Sequence, residues 1–160
     1  MKLFYKIIRV GCALAVIPWL LCSGCADMAV QNGGTYAPMQ DDYKLGEKLL
    51  DEVFDTYRNY TRDSFDRIVS RDFAPIKSEF MNNVERAFYA ARVMEIYYYV
   101  DTANVRDNLA AISFHWEKKV STYSGGAINN STGNAEFVFK NEGDRWNLYQ
   151  VGGDDPLSRV

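Results

Sequence analysis

Histidine occurs once in the 160 residues, at His115, and cysteine three times, at Cys12, Cys22 and Cys25. One imidazole and no thiol after residue 25 leave no His/Cys set for a transition metal, and the carboxylates are too scattered to cage a hard cation. No nucleophile stands beside a base. No Gly-rich turn links a strand to a helix, which excludes the dinucleotide and P-loop phosphate motifs. Repeats and Pro-rich, Gln-rich or collagen-like tracts are absent. Cations number 18 against 21 acids, so there is no basic footprint for nucleic acid. What is present is 48% hydrophobic residues, enough for a packed domain. No cofactor is expected.

The start is unlike the rest. Lys2, Lys6 and Arg9 precede a charge-free stretch over 10–22, the pattern of a secretory signal too short to span a bilayer. Ser23-Gly24-Cys25 then resembles the end of a bacterial lipoprotein signal, Leu-(Ala/Ser)-(Gly/Ala)-Cys, with Cys22 standing where that pattern has Leu. The resemblance implies a signal over 1–24, cleavage before Cys25, and acyl chains such as palmitate on its thiol. Two or more chains anchor stably. Cys12 and Cys22 would leave with the signal, so no disulfide is expected. Loss of three cations would take the formal charge from −3 to −6. Ala26 rather than Asp follows Cys25, which by the sorting habit of such proteins implies the periplasmic face of the outer membrane in a Gram-negative host.

Residues 26–40 lack an apolar period, and Gly33, Gly34 and Pro38 punctuate them, so a flexible tether is expected from Cys25 to residue 40. A domain over 41–160 follows. Leu45, Leu49, Leu50, Val53, Phe54 and Tyr57 form one stripe of a helix of about 17 residues starting near Asp41. A second helix starts after Thr61, an N-cap, buries Phe65, Ile68 and Val69, and ends at Phe73 and Pro75. A third starts near Ser78 and buries Phe80, Val84, Ala87, Phe88 and Ala91.

The period then becomes two. Over 94–101, Met94, Ile96, Tyr98 and Val100 oppose Glu95, Tyr97, Tyr99 and Asp101. Over 109–118, Ala110, Ile112, Phe114 and Trp116 oppose Ala111, Ser113, His115 and Glu117. A Gly/Asn/Ser loop is expected over 124–132. Ala135, Phe137 and Phe139 share a face, Asn141-Glu142-Gly143-Asp144 reads as a hairpin turn, and Trp146, Leu148 and Gln150 oppose Asn147, Tyr149 and Val151. Helices followed by antiparallel strands mean α+β.

Two stretches carry a further likeness: Tyr60-Thr61-Arg62-Asp63-Ser64-Phe65-Asp66-Arg67-Ile68-Val69-Ser70-Arg71-Asp72-Phe73, and the aromatic ending from Ala135 through Trp146 to Val151. Together they resemble the nuclear-transport-factor-2-like (NTF2-like, or SnoaL-like) superfamily over about 42–157. The resemblance implies three N-terminal helices packed on a strongly curved antiparallel sheet, a cone open at its wide end. Members include isomerases, dehydratases, ligand binders and association modules, so the fold leaves the function open.

On that fold, Tyr98, Ile112, Phe114, Trp116, Phe137, Phe139, Trp146 and Leu148 would line the concave face, as pocket or as filled core. His115 falls on the opposite face, away from the Asp–His position that enzymes of the superfamily use. Asp101 reads as a strand-end turn residue, and Asp154-Asp155 as a solvated chain end or weak cation site. Tyr97 and Tyr99 either pack or form an exposed pair at a partner or homodimer surface. The functional expectation is a lipid-anchored envelope domain that binds a protein partner or a small apolar ligand without catalysis. A SnoaL-type acid–base isomerase or dehydratase, and a structural accessory of an envelope assembly, are the alternatives.

Overall fold

The computed structural model describes residues 36–122 and 128–158. Cys25 and the signal-like stretch lie outside the described residues. Three helices precede or interrupt a five-stranded sheet. They are α1 (Tyr36–Arg58), α2 (Arg62–Ile68) and α3 (Lys77–Ala90). The strands are β1 (Val69–Ala74), β2 (Ala91–Arg106), β3 (Leu109–Thr122), β4 (Ile128–Asn141) and β5 (Trp146–Gly153). The sheet order is β1-β5-β4-β3-β2. Among the described residues no helix is long and apolar enough to cross a membrane.

The α1 stripe lies as its spacing dictates: Leu49, Leu50, Val53, Phe54 and Tyr57 are buried. The helix begins at Tyr36, inside the stretch expected to be tether. Gly46 costs the helix about 1 kcal/mol of propensity relative to alanine. A Cβ there would stand 3.3 Å from Ala103 Cβ and 3.5 Å from Ile112, so its absence brings α1 close to the sheet. Thr61 caps α2, its side chain accepting from Ser64 N while the Ser64 hydroxyl accepts from Thr61 N at 3.2 Å.

The second helix was expected to run to Phe73. It stops at Ile68, and Val69–Ala74 is a strand paired in parallel with β5, Val69 opposite Leu148. The sheet is therefore mixed rather than antiparallel throughout. A parallel pair needs a long crossover, which α3 and the three strands after it supply. Of the loop expected over 124–132, residues 128–132 belong to β4, and 124–127 lie outside the described residues.

Irregularities bend the sheet. In β2 the register shifts between Val93 and Glu95 and again between Val100 and Thr102. Between β4 and β5 Leu148 faces Phe139 but Gln150 faces Val138, leaving Tyr149 as an extra residue. That bulge corrects the expected alternation: Val151, not Gln150, follows Leu148 onto the inner face, opposite Phe137. The exposed edge of β2 is covered by α1. Tyr43 Oη donates to Asp101 O, Arg58 Nη2 to Ile96 O at 3.2 Å, and Asp42 accepts from Val105 N at 3.4 Å. Edge carbonyls and amides so occupied are not free to template another strand.

The concave face is occupied by interlocking rings. Ile112, Phe114, Trp116, Phe137, Phe139 and Leu148 are all 2% exposed or less. Phe114 meets Phe137 edge-on at 4.9 Å, and Phe54 of α1 sits 5.9 Å from Phe114. Trp146 packs half-buried at the margin, and Tyr98 reaches out to donate to Asp51 Oδ1 at 2.6 Å.

Candidate functional site

The register across β2, β3 and β4 builds a groove on the outer face of the sheet. Tyr99, His115 and Asn134 stand opposite one another along one wall; Tyr97, Glu117 and Thr132 form the other. Between them runs the row Tyr98, Trp116 and Gly133; the first two side chains point the other way and glycine has none, so the backbone is the floor. The groove encloses about 380 Å³. Gly133 is required beneath it. A Cβ there would lie 2.8 Å from Trp116 Cζ2 and 2.6 Å from Asp154 Cβ, so only glycine leaves the indole its place.

Tyr97 and Tyr99 are 58% and 72% exposed. Tyr99 stacks on His115, ring centroids 5.4 Å apart and planes 10° from parallel. His115 Nδ1 lies 3.0 Å from Asp101 Oδ1. Asp101 is not the expected strand-end residue. It is the extra residue of the bulge between Val100 and Thr102, mid-strand, and the bulge aims its carboxylate at the histidine. Both groups are about half exposed, so water screens the pair. At the groove's end Glu95 and Lys119 pair at 2.8 Å. The hydrogen bond holds the Glu95 carboxyl below its usual range and the Lys119 ammonium above its own. The Lys119 ammonium also lies 6.0 Å from the Tyr97 ring.

A second group of titratable side chains sits inside the cone, and the sequence reading missed it. Lys118 extends the alternation of Ile112, Phe114 and Trp116, so it points inward, and it is 0% exposed. Its Nζ donates to Pro156 O at 2.5 Å and stands 6.0 Å from the Tyr57 ring. Burial pushes its pKa down to about 8, opposed by the charge of Asp155. Asp155 is not a solvated chain end. Its carboxylate turns inward to accept from Leu157 N at 2.9 Å, and burial raises its pKa. Burial also raises the Tyr57 phenol well above its usual value. Residues 154–158 roof this group. Trp116 Nε1 donates to Asp154 O at 2.7 Å, Asp154 N to Asn134 O at 2.7 Å, and Leu157 is fully buried. Carrying the alternation two residues past Trp116 would have found Lys118. Among the described residues no three His, Cys, Asp or Glu side chains converge as metal ligands.

No family model matches the chain, and no curated protein matches it. Solved structures do. A conserved protein from Planctomyces limnophilus is similar at 18% identity and TM-score 0.60, over 71% of this chain and 98% of its own. An NTF2-like superfamily protein from Salmonella enterica serovar Typhimurium is similar at 13% identity and TM-score 0.56, over 75% and 94%. A ketosteroid isomerase-like protein from Erwinia carotovora atroseptica is similar at 9% identity and TM-score 0.56, over 72% and 98%. Identities this low speak to fold alone, and the fold is NTF2-like, a curved α+β sheet wrapped on its helices.

Proposed function

We propose that this chain is a non-enzymatic binding domain of a bacterial cell envelope, held to the membrane by acyl chains on Cys25, that docks a protein partner in the outer groove. The observation that supports this most is the exposure of Tyr97 and Tyr99 side by side on a sheet whose other face is filled. Tyrosine brings large rigid area at low entropic cost, and it is enriched at protein interfaces. Glu117 stands opposite Tyr97 and Asp101 beside the His115 that Tyr99 stacks on, while Lys119 is already paired with Glu95. Acids beside electron-rich ring faces suit a partner that presents arginine or lysine next to apolar surface.

The double variant Tyr97→Ser/Tyr99→Ser tests the groove. Wild-type chain captured from envelope membranes should carry a protein that the double variant recovers more than about tenfold less, as loss of two hot-spot aromatics implies. Arg106→Ser, at the far end of β2, should recover it in full. Capture should weaken as salt rises. A partner that turns out to be a second copy would show in sedimentation as a dimer lost in the double variant. Equal recovery by wild type and double variant overturns the docking proposal, and co-purification of an apolar small molecule instead would redirect it.

The anchor is tested separately. Cys25→Ser expressed in cells fed a labelled fatty acid should carry no label and should leave the membrane fraction. Label retained on the serine variant overturns lipidation at Cys25.

A further inference from the structure

A second concavity lies far along the sheet order from the tyrosine groove, where α2, β1, the start of α3 and the β4–β5 turn meet. It encloses about 700 Å³, within the range of small-ligand sites. Five cations line it, Arg67, Arg71, Lys77, Lys140 and Arg145, against three acids, Asp66, Asp72 and Glu142. The net of +2 stands out in a chain whose formal charge is −3.

Each acid is already engaged. Asp66 pairs with Lys77 at 3.0 Å and Asp72 with Lys140 at 2.6 Å. Glu142 accepts from the buried Ser70 hydroxyl at 2.6 Å and from Asn147 Nδ2 at 2.7 Å, and these bonds hold its carboxyl below the usual range. What remains uncompensated is three guanidiniums, of Arg67, Arg71 and Arg145, none with a carboxylate partner among the described residues.

Their placement is built rather than incidental. Arg67 is in the last turn of α2. Arg71 is an outward residue of β1. Arg145 closes the β4–β5 turn, where Glu142 N donates to its carbonyl at 2.8 Å and Gly143 takes φ +90°. The Ser70–Glu142 bond ties that turn to β1, which brings Arg145 and Arg71 to one cleft. Guanidinium forks match the oxygens of phosphate, and a concave site of one sign focuses the field on an anion.

We propose that this cleft binds a phosphate-bearing ligand, with the phosphate held by Arg67, Arg71 and Arg145. A phosphomonoester dianion matches the +2 excess, and the phosphodiester monoanion of a lipid headgroup offsets half of it. The phosphate comes either on a soluble molecule or as a lipid headgroup, and two arms of one experiment separate them. The full chain is titrated with glycerol 3-phosphate and, separately, with phosphatidylglycerol vesicles against phosphatidylcholine controls. The arginine side-chain N–H resonances are followed. Saturable shifts are expected at Arg67, Arg71 and Arg145 and not at Arg106. Each single Arg→Gln change should weaken binding about tenfold, and added salt should weaken it in wild type. Saturation by glycerol 3-phosphate alone supports a soluble ligand. Vesicle binding that glycerol 3-phosphate does not displace supports a headgroup. Silence of all three arginines in both arms, shifts shared equally by Arg106, or full binding by the triple Arg→Gln variant overturns the proposal.

Discussion

Trp116→Ala should lower unfolding stability by about 3–5 kcal/mol, the cost of truncating a fully buried indole in a packed core. Trp116 is 2% exposed, lies over Gly133, and its Nε1–H holds Asp154 O at 2.7 Å. Two losses therefore combine, a cavity beside the rings and the release of one tie on residues 154–158. Trp116→Phe separates them, since it keeps most of the ring and deletes the donor. It should cost about 1 kcal/mol for the hydrogen bond plus a smaller packing term. Urea unfolding at one pH, with the m-value checked for constancy, reads both. A loss below about 1 kcal/mol in Trp116→Ala would mean that the side chain borders open space, and binding of an apolar probe, lost on mutation, would then be the expected companion.

Why that aromatic stripe was legible, and other parts were not, follows from the range of the interactions involved. Ile112, Phe114, Trp116, Phe137 and Phe139 obey a local rule, because one slip of register would send all of them to water. Thr61 with Ser64, and the Asn141–Asp144 turn, are likewise settled within a few residues. Val69–Ala74 is different. Phe65, Ile68, Val69 and Phe73 fit a helical face, and only pairing with β5, far along the chain, makes the last six residues a strand. The bulges at Asp101 and Tyr149 are decided by the partner strand as well, so the Asp101–His115 pair and the inward turn of Val151 left no trace in the alternation. Lys118 and Asp155 defy composition rather than periodicity. Lysines and chain-end acids are normally solvated, yet Lys118 is fully buried and Asp155 half-buried because the segment after β5 folds back over β3. The outer tyrosines could be placed by counting alone; the arginine cleft could not, since its residues come from elements that meet only in the folded chain.

Lys118→Met should stabilise the protein near pH 7 by roughly 1–2 kcal/mol, because removing a charge that burial disfavours gains up to about 3 kcal/mol and losing the bond to Pro156 O returns about 1–2 kcal/mol of it. At that pH the amine, with its pKa near 8, is still protonated, and its charge is offset by Asp155, by Pro156 O and by the face of Tyr57. Methionine fills the volume without the charge and gives up the bond to Pro156 O. The pH profile gives an independent reading. The unfolded lysine keeps its proton to about 10.5 while the folded one releases it near 8. Between those values the unfolded state binds more protons, so wild-type stability should rise from pH 8 to 9.5. Below pH 8 both states are protonated and the contribution is flat. Lys118→Met should lack the rise. The same residue bears on an acid–base site inside the cone, which needs a titratable group within reach of substrate. Lys118 reaches nothing outside the cone unless residues 154–158 lift away. Hydrogen exchange at Asp154 and Leu157 N–H, bonded to Asn134 O and Asp155 Oδ1, should proceed only at the rate set by global unfolding, which makes Lys118 part of the scaffold. Faster exchange at both amides, independent of global stability, would show a roof that opens and would favour the enzyme alternative.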